Sequence, residues 1–286
     1  MRKFLRAIWR VLTFPFRVVY RWLDGIFTNI RILLTEEPVD EPLPDTFAKT
    51  MENPMGVMEH LDDLRKHLLR AVAFLFVMTA ISLVFARQII DLLAQPVGGI
   101  DELIAIDVTE PISVFMRVAL LMGFALALPY IAFELWLFIA PGLKKGSRLF
   151  SLGAIPIALI FFLGGVAFAY FIMLPVAIPY LTSFMGMTTE LRPSNYVRFV
   201  TAILFWIGIA FQFPLVIYVL ARIGLVSARF LLDQWRLAIV IIAIISAMIT
   251  PTIDPINMAI VMTPLVVLYF LSIGLASIAQ RGKEPQ

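Results

Sequence analysis

The sequence predicts an all-α, polytopic membrane protein of six transmembrane helices with both termini cytoplasmic, and three observations carry that prediction. Of the 286 residues 61% are hydrophobic and 15% charged, with a mean hydropathy of +0.93, whereas soluble domains carry about 25% charged residues. The apolar residues fall in long uniform runs without the two-residue alternation of a barrel strand. In hydrocarbon each backbone N–H and C=O must be satisfied within the protein, so such runs read as helices. The basic residues, finally, are concentrated in alternate loops.

Six runs are long and apolar enough to be spans, at 68–85, 112–138, 149–178, 197–220, 237–250 and 256–277; a hydrocarbon core of ~30 Å needs roughly 17 to 25 helical residues. The fifth run is the outlier, because as a helix it reaches only about 21 Å. It has to thin the bilayer, sit inside the bundle or leave its ends in water. Pro129, Pro175 and Pro214 fall within or near spans, where each removes a helix hydrogen bond and can curve the bundle into a concave, glove-like shape.

Orientation follows from the loops. With the amino terminus in the cytoplasm, that side receives the eleven basic residues up to Arg70, then Lys144, Lys145, Arg148, Arg222, Arg229, Arg236, Arg281 and Lys283. The other side receives Arg87, Arg117, Arg192 and Arg198, so nineteen of the 23 lysines and arginines are cytoplasmic. Segments 87–111 and 179–195 then form an external cap.

Ahead of the spans, residues 1–35 place Arg2, Arg6, Arg10, Arg17, Arg21 and Arg31 on one arc of a helix, with Leu5, Ile8, Trp9 and Phe16 largely off it. This pattern reads as a basic interfacial helix lying on anionic lipid and bent near Pro15. Basic residues interrupt its apolar stretch throughout, which argues against a secretory signal. Residues 36–54, with Glu36, Glu37, Pro38, Asp40, Glu41, Pro42, Pro44 and Asp45, form an acidic, proline-rich linker with too little apolar surface to fold. The membrane domain covers 55–280, and 281–286 are a cytoplasmic tail.

Cysteine is absent, which excludes disulfides, thiolate nucleophiles and iron–sulfur clusters. No G-x-S-x-G, H-E-x-x-H, phosphate loop or dinucleotide turn occurs, so the chain does not read as an enzyme and no cofactor is expected. His60, Asp63 and His67 share a helix face, but a solvated pre-membrane helix explains them better than a metal. The segment 58–68 is amphipathic, with Val57, Leu61, Leu64 and Leu68 on one face and Glu59, Asp62 and Asp63 among the polar positions. Interfacial carboxylates are good receptors for guanidinium, because the planar fork binds them bidentately and the reduced dielectric strengthens the pair. An ordinary charged helix start neutralised by Arg65 and Lys66 fits the same residues. Glu134 sits about one turn inside the cytoplasmic end of the second run, where a snorkelling charge is the simplest reading. Gln212 sits mid-span beside Pro214, where an amide needs a partner or a wet face.

The segment Met58–Leu68 is followed by Pro96, by Asp107-Val108-Thr109-Glu110-Pro111, by Phe138-Ile139-Ala140-Pro141-Gly142-Leu143, by Phe168-Ala169-Tyr170-Phe171, by Phe211-Gln212-Phe213-Pro214, and by Thr250-Pro251 with Asp254. In this order and spacing the chain resembles the TatC family of twin-arginine protein translocase components, over roughly residues 55–280. The resemblance implies a receptor in the cell inner membrane that recognises the paired arginines of signal peptides. It further implies recruitment of single-span TatA/TatB-type subunits, self-association, lipid contacts and export of folded cargo on the proton motive force. No nucleic acid is implied. Signal recognition would fall to Asp63, with Glu59, Asp62, Arg65, Phe138 and Pro141 around it and a second carboxylate after the Pro-Gly-Leu turn. This chain has Ser147 at that second place, and a serine cannot carry the charge; Asp62, Glu59 or Glu134 would have to compensate. Gln212, Thr250 and Asp254 would face partner subunits. The alternative function is a secondary transporter of small molecules or ions, with Gln212 lining its path; the sequence lacks the internal repeat many transporters carry.

Overall fold

A computed structural model of the chain describes residues 54–142, 151–183, 191–250 and 254–281. The expectations for residues 1–53, for the Lys144–Arg148 loop with Ser147 and for the tail past Arg281 lie outside the described residues. Within them the protein is helical, and the only β feature is an isolated parallel bridge between Leu103 and Leu191.

Helix α1 spans Pro54–Ser82. No glycine or proline interrupts it after Gly56, so the amphipathic pre-membrane segment and the first apolar run form one continuous helix rather than two elements. Its last turn tightens, with Val84 N–H donating to Ile81 O and Phe85 N–H to Ser82 O. The chain then turns by 76° into α2, Ala86–Ala94, and the span expected to end at 85 stops at Ser82. Two short 3-10 turns follow, and α3 runs over Glu110–Ile139. Pro129 lies inside α3 without ending it.

The third run is α4, Ala154–Phe168, joined by a π turn at Ala169–Met173 to α5, Leu174–Thr182. Pro175 cannot donate to Phe171 O, and the wider π turn sits where that bond is lost. The fourth run, expected to be one span, is two helices: α6, Pro193–Ala210, and α7, Phe213–Ile223. Pro214 is again the cause, since the break at Phe211 and Gln212 falls within the turn whose hydrogen bonding it disrupts. The short α8, Ala228–Asp233, precedes α9, Trp235–Ile249, and α10, Pro255–Arg281.

Among the described residues four helical stretches, Glu110–Ile139, Ala154–Thr182, Pro193–Arg222 and Pro255–Gln280, are long and apolar enough to cross a membrane. The bent α1–α2 pair passes the same test only when taken together, and α9 has fifteen residues. At about 22 Å, α9 is as short as the sequence expects.

Small residues let these helices approach closely, as packing between spans requires where lipid supplies no hydrophobic drive. A Cβ on Gly123 of α3 would stand 2.5 Å from Thr79 Cα of α1, and one on Gly208 of α6 would stand 2.6 Å from the Phe162 ring of α4. Ser82 Oγ donates to Ala119 O at 2.5 Å, closing the α1–α3 contact at its far end. The largest core gathers Val118, Leu174, Val200, Ile203 and Ile207 with Val261 of α10. Two tyrosines hold α2 across this core: Tyr196 donates to Leu93 O at 2.6 Å and Tyr170 to Leu92 O at 2.7 Å. Leu93 O is among the carbonyls at a helix C-terminus that lack an intrahelical partner, Leu92 O accepts from Gln95 N–H as well, and the bond gives Tyr170 of the Phe168–Phe171 motif a structural role.

Candidate functional site

The amino-terminal half of α1 packs against the carboxy-terminal end of α3, and the polar residues of both meet there. Asp62 and Asp63 stand on the outside of α1, with side chains 53% and 60% exposed, and share Lys66 at 2.9 and 3.0 Å. The Lys66 ammonium holds Asp62 below the usual carboxylate range, first by its hydrogen bond and then by its charge, and the two aspartates raise Lys66 in return. Arg65 is exposed. Glu59 lies in the same helix, but its side chain is outside the described residues.

Glu134 departs from the sequence expectation. It does not snorkel: it is 2% exposed, and both of its oxygens are engaged. Tyr130, one turn earlier, donates to Oε1, while His67 Nδ1 lies 2.6 Å from Oε2. At that distance the two groups share a hydrogen bond. Arg70 Nη1 stands 3.7 Å from the same oxygen. The antiparallel pairing of α1 with α3 causes this burial, because it aims His67 and Arg70 at the turn of α3 that carries Tyr130 and Glu134. His60 stacks on Phe138 with ring centroids 4.4 Å apart, and His67 meets the edge of that ring at 6.2 Å. The face of His60, Asp63 and His67 is therefore divided between an aromatic contact and a buried acid, and no cluster able to hold a metal occurs among the described residues. Pro141 is exposed in the 3-10 turn Ala140–Gly142 that ends α3.

The sequence reading named His67 only as part of a helix face, not as a partner of Glu134, and did not single out Tyr130. The available signal was the four-residue spacing of Tyr130 and Glu134, which stacks them on one face of a helix. The arrangement offers an exposed carboxylate pair at the rim and, one helical turn further along α1, a buried carboxylate held by a histidine, a tyrosine and an arginine.

The three residues expected to meet partners are separated. Gln212 caps the break between α6 and α7, and its amide donates to Ala158 O of α4 at 2.7 Å, so this mid-span amide is satisfied by helix packing. Thr250 and Asp254 do come together, along a cavity of about 580 Å³ that Met258 and Met262 also line. Thr250 is buried and donates back to Ser246 O at 3.0 Å. Asp254 caps α10, accepting from Asn257 N–H at 2.7 Å as an N-cap does three residues ahead.

These features define the class: a multi-pass helical membrane protein that presents carboxylates and aromatic rings at one end of its bundle. The family model described as Sec-independent protein translocase protein (TatC) matches residues 59–264. The TatC protein of Carboxydothermus hydrogenoformans is 33% identical, over 79% of this chain and 94% of its own length. That of Deinococcus radiodurans is 34% identical, over 85% and 92%. A crystal structure of the twin-arginine translocase receptor TatC superposes with a TM-score of 0.68 at 30% identity, covering 78% of this chain and 100% of that one. The chain belongs to the TatC family; it is a protein translocase component rather than an enzyme, and the transporter alternative falls away.

Proposed function

We propose that this chain is the signal-peptide-recognising core subunit of a twin-arginine translocase, with its receptor site where α1 meets the end of α3. The observation that carries the reading is the pair of carboxylate positions, exposed Asp63 at the rim and buried Glu134 below it. Neighbouring side chains of an extended peptide point to opposite faces, so two adjacent arginines need acceptors in two directions. Glu134 supplies the second acidic group that Ser147 cannot. Phe138 and His60 add an aromatic surface against which a guanidinium can stack.

In this reading the chain crosses the cell inner membrane six times with both termini in the cytoplasm, supported by the nineteen basic residues assigned to that side. α1 supplies one span and α9 a thin one. Residues 1–35 attach to anionic lipid, 36–54 act as a linker, and 281–286 form a tail. Single-span TatA/TatB-type subunits seat at the cavity beside Thr250 and Asp254, where the span is thin, while Gln212 ties the α6–α7 break to α4. Copies of the chain associate with one another, and folded cargo moves on the proton motive force.

A photo-crosslinking amino acid in place of Phe138 tests the site in the full chain in nanodiscs. It is expected to capture an Arg-Arg signal peptide and to leave its Lys-Lys counterpart largely uncaptured. Equal capture from the exposed α3 position Leu120 would place the receptor surface elsewhere.

A further inference from the structure

The end of the bundle opposite Asp63 holds a groove that signal recognition does not use. It encloses about 450 Å³ between the last turns of α5, the first turns of α6 and the last turn of α9. On α6 the lining residues Asn195, Arg198, Phe199 and Ala202 recur at three- and four-residue spacing and so share one face. Counted from Pro193, Asn195 stands about 3 Å along the helix, Arg198 about 7.5 Å and Ala202 about 13.5 Å. The lining is therefore ordered by depth, with an amide and a guanidinium near the mouth and apolar groups below. Ile178 of α5 and Met248 of α9 complete the apolar walls.

Arg198 is exposed, and no carboxylate pairs with it among the described residues. Arg192, six residues earlier, differs in being bound to Glu110. An exposed guanidinium beside an apolar slot matches a molecule with an anionic head and a hydrocarbon tail. The slot's dimensions select among such molecules. A volume of about 450 Å³ running along ~10 Å of helix accommodates an acyl chain, and the guanidinium beside it favours an anionic head over a neutral one.

We infer that this groove is a binding site for an anionic glycerophospholipid, its phosphate held by Arg198 and Asn195 and one acyl chain lying along Phe199 and Ala202 against Ile178 and Met248. The bound lipid fills the space that the short α9 leaves open and ties α9 to α5 and α6.

The test uses the full chain in phosphatidylcholine nanodiscs doped with phosphatidylglycerol that carries a photoreactive group on its acyl chain. Labelling is expected within residues 193–202 or the last turn of α9. Arg198→Gln is expected to lower it about fivefold, Arg198→Lys to keep most of it, and Ala202→Trp, which fills the slot, to abolish it. Arg117→Gln, on α3, should leave it unchanged, and labelling of residues 1–35 should be the same in every variant. Soluble glycerol phosphate should not compete, because it lacks the chain. Equal labelling in Arg198→Gln, equal labelling by a photoreactive phosphatidylcholine, or full competition by glycerol phosphate overturns the proposal. The Arg198→Lys result separates loss of the site from loss of the fold.

Discussion

Helix α3 carries a buried glutamate near each end, and the two are held in opposite ways. At its start Glu110, 4% exposed, accepts from Arg192 through Oε1 alone, with Nε at 3.0 Å and Nη2 on the same oxygen. Its other oxygen is buried without a partner. Arg192 precedes α6, so the pair, beside the Leu103–Leu191 bridge, staples the start of α3 to the start of α6. Near the other end Glu134 is as deeply buried, yet both oxygens are served by groups on two helices, and the cation nearest by charge, Arg70, stands off at 3.7 Å. A permanent fork at close range makes a fixed joint. In the proposed receptor, a histidine and a phenol with an arginine held back make a site whose partners an incoming guanidinium exchanges.

The largest expected effect breaks the fixed joint. Arg192→Ala leaves Glu110 buried without its cation and should cost about 3 kcal/mol in unfolding of the purified protein in micelles. Glu110→Gln leaves only a neutral amide and an arginine that is 42% exposed, so it should cost about 1 kcal/mol. Equal costs would show that the carboxylate is not held as a charge. Glu134→Gln should reverse the balance: it keeps the size of the side chain and a hydrogen-bond partner for Tyr130, costing about 1 kcal/mol of stability, while affinity for an Arg-Arg signal falls roughly tenfold. A drop shared equally by a Lys-Lys signal would remove Glu134 from the receptor site. Lys66→Gln is the smallest. It frees Asp62 and Asp63 from an exposed pair of little net worth, so Arg-Arg affinity should rise about twofold. Asp62 should titrate closer to its ordinary value, because Lys66 is what lowers it. Because Asp62 is lowered in the folded chain, this pair's contribution is present above the ordinary aspartate value and lost as pH falls through the lowered one.

Hydropathy made the helices legible because each apolar run reports on itself. The thin fifth run is α9, and Pro175 and Pro214 mark the π turn and the break between α6 and α7. Hydropathy does not say which side chains meet across helices. Glu134 reads as a snorkelling charge until α1 is laid against α3, and only then do His67 and Tyr130 become its partners. Gln212 likewise reads as a wet or partner-facing amide until α4 brings Ala158 O within reach. Asp254 is the converse case, since the Asp-Pro pair at the start of α10 is a helix-start signal, and its capping bond to Asn257 was open to reading from sequence. The 76° turn after Ser82 carries no proline or glycine; the buried face of α2, formed by Ile90 and Leu93, drives it onto the bundle.

The most direct measurement is the affinity of an Arg-Arg signal peptide for the full chain in nanodiscs at fixed salt, compared between wild type and Asp63→Asn. Asparagine keeps the size and removes the charge, and a charge-assisted hydrogen bond contributes ~1.5 to 3 kcal/mol, so affinity should fall roughly 10-fold to 150-fold. A Lys-Lys peptide, already unable to use the fork, should lose less. Adding Ser147→Glu to Asp63→Asn should recover part of the Arg-Arg affinity. Unchanged Arg-Arg affinity in Asp63→Asn, with Ser147 or with glutamate at 147, would contradict the assignment of the receptor site to the rim of α1.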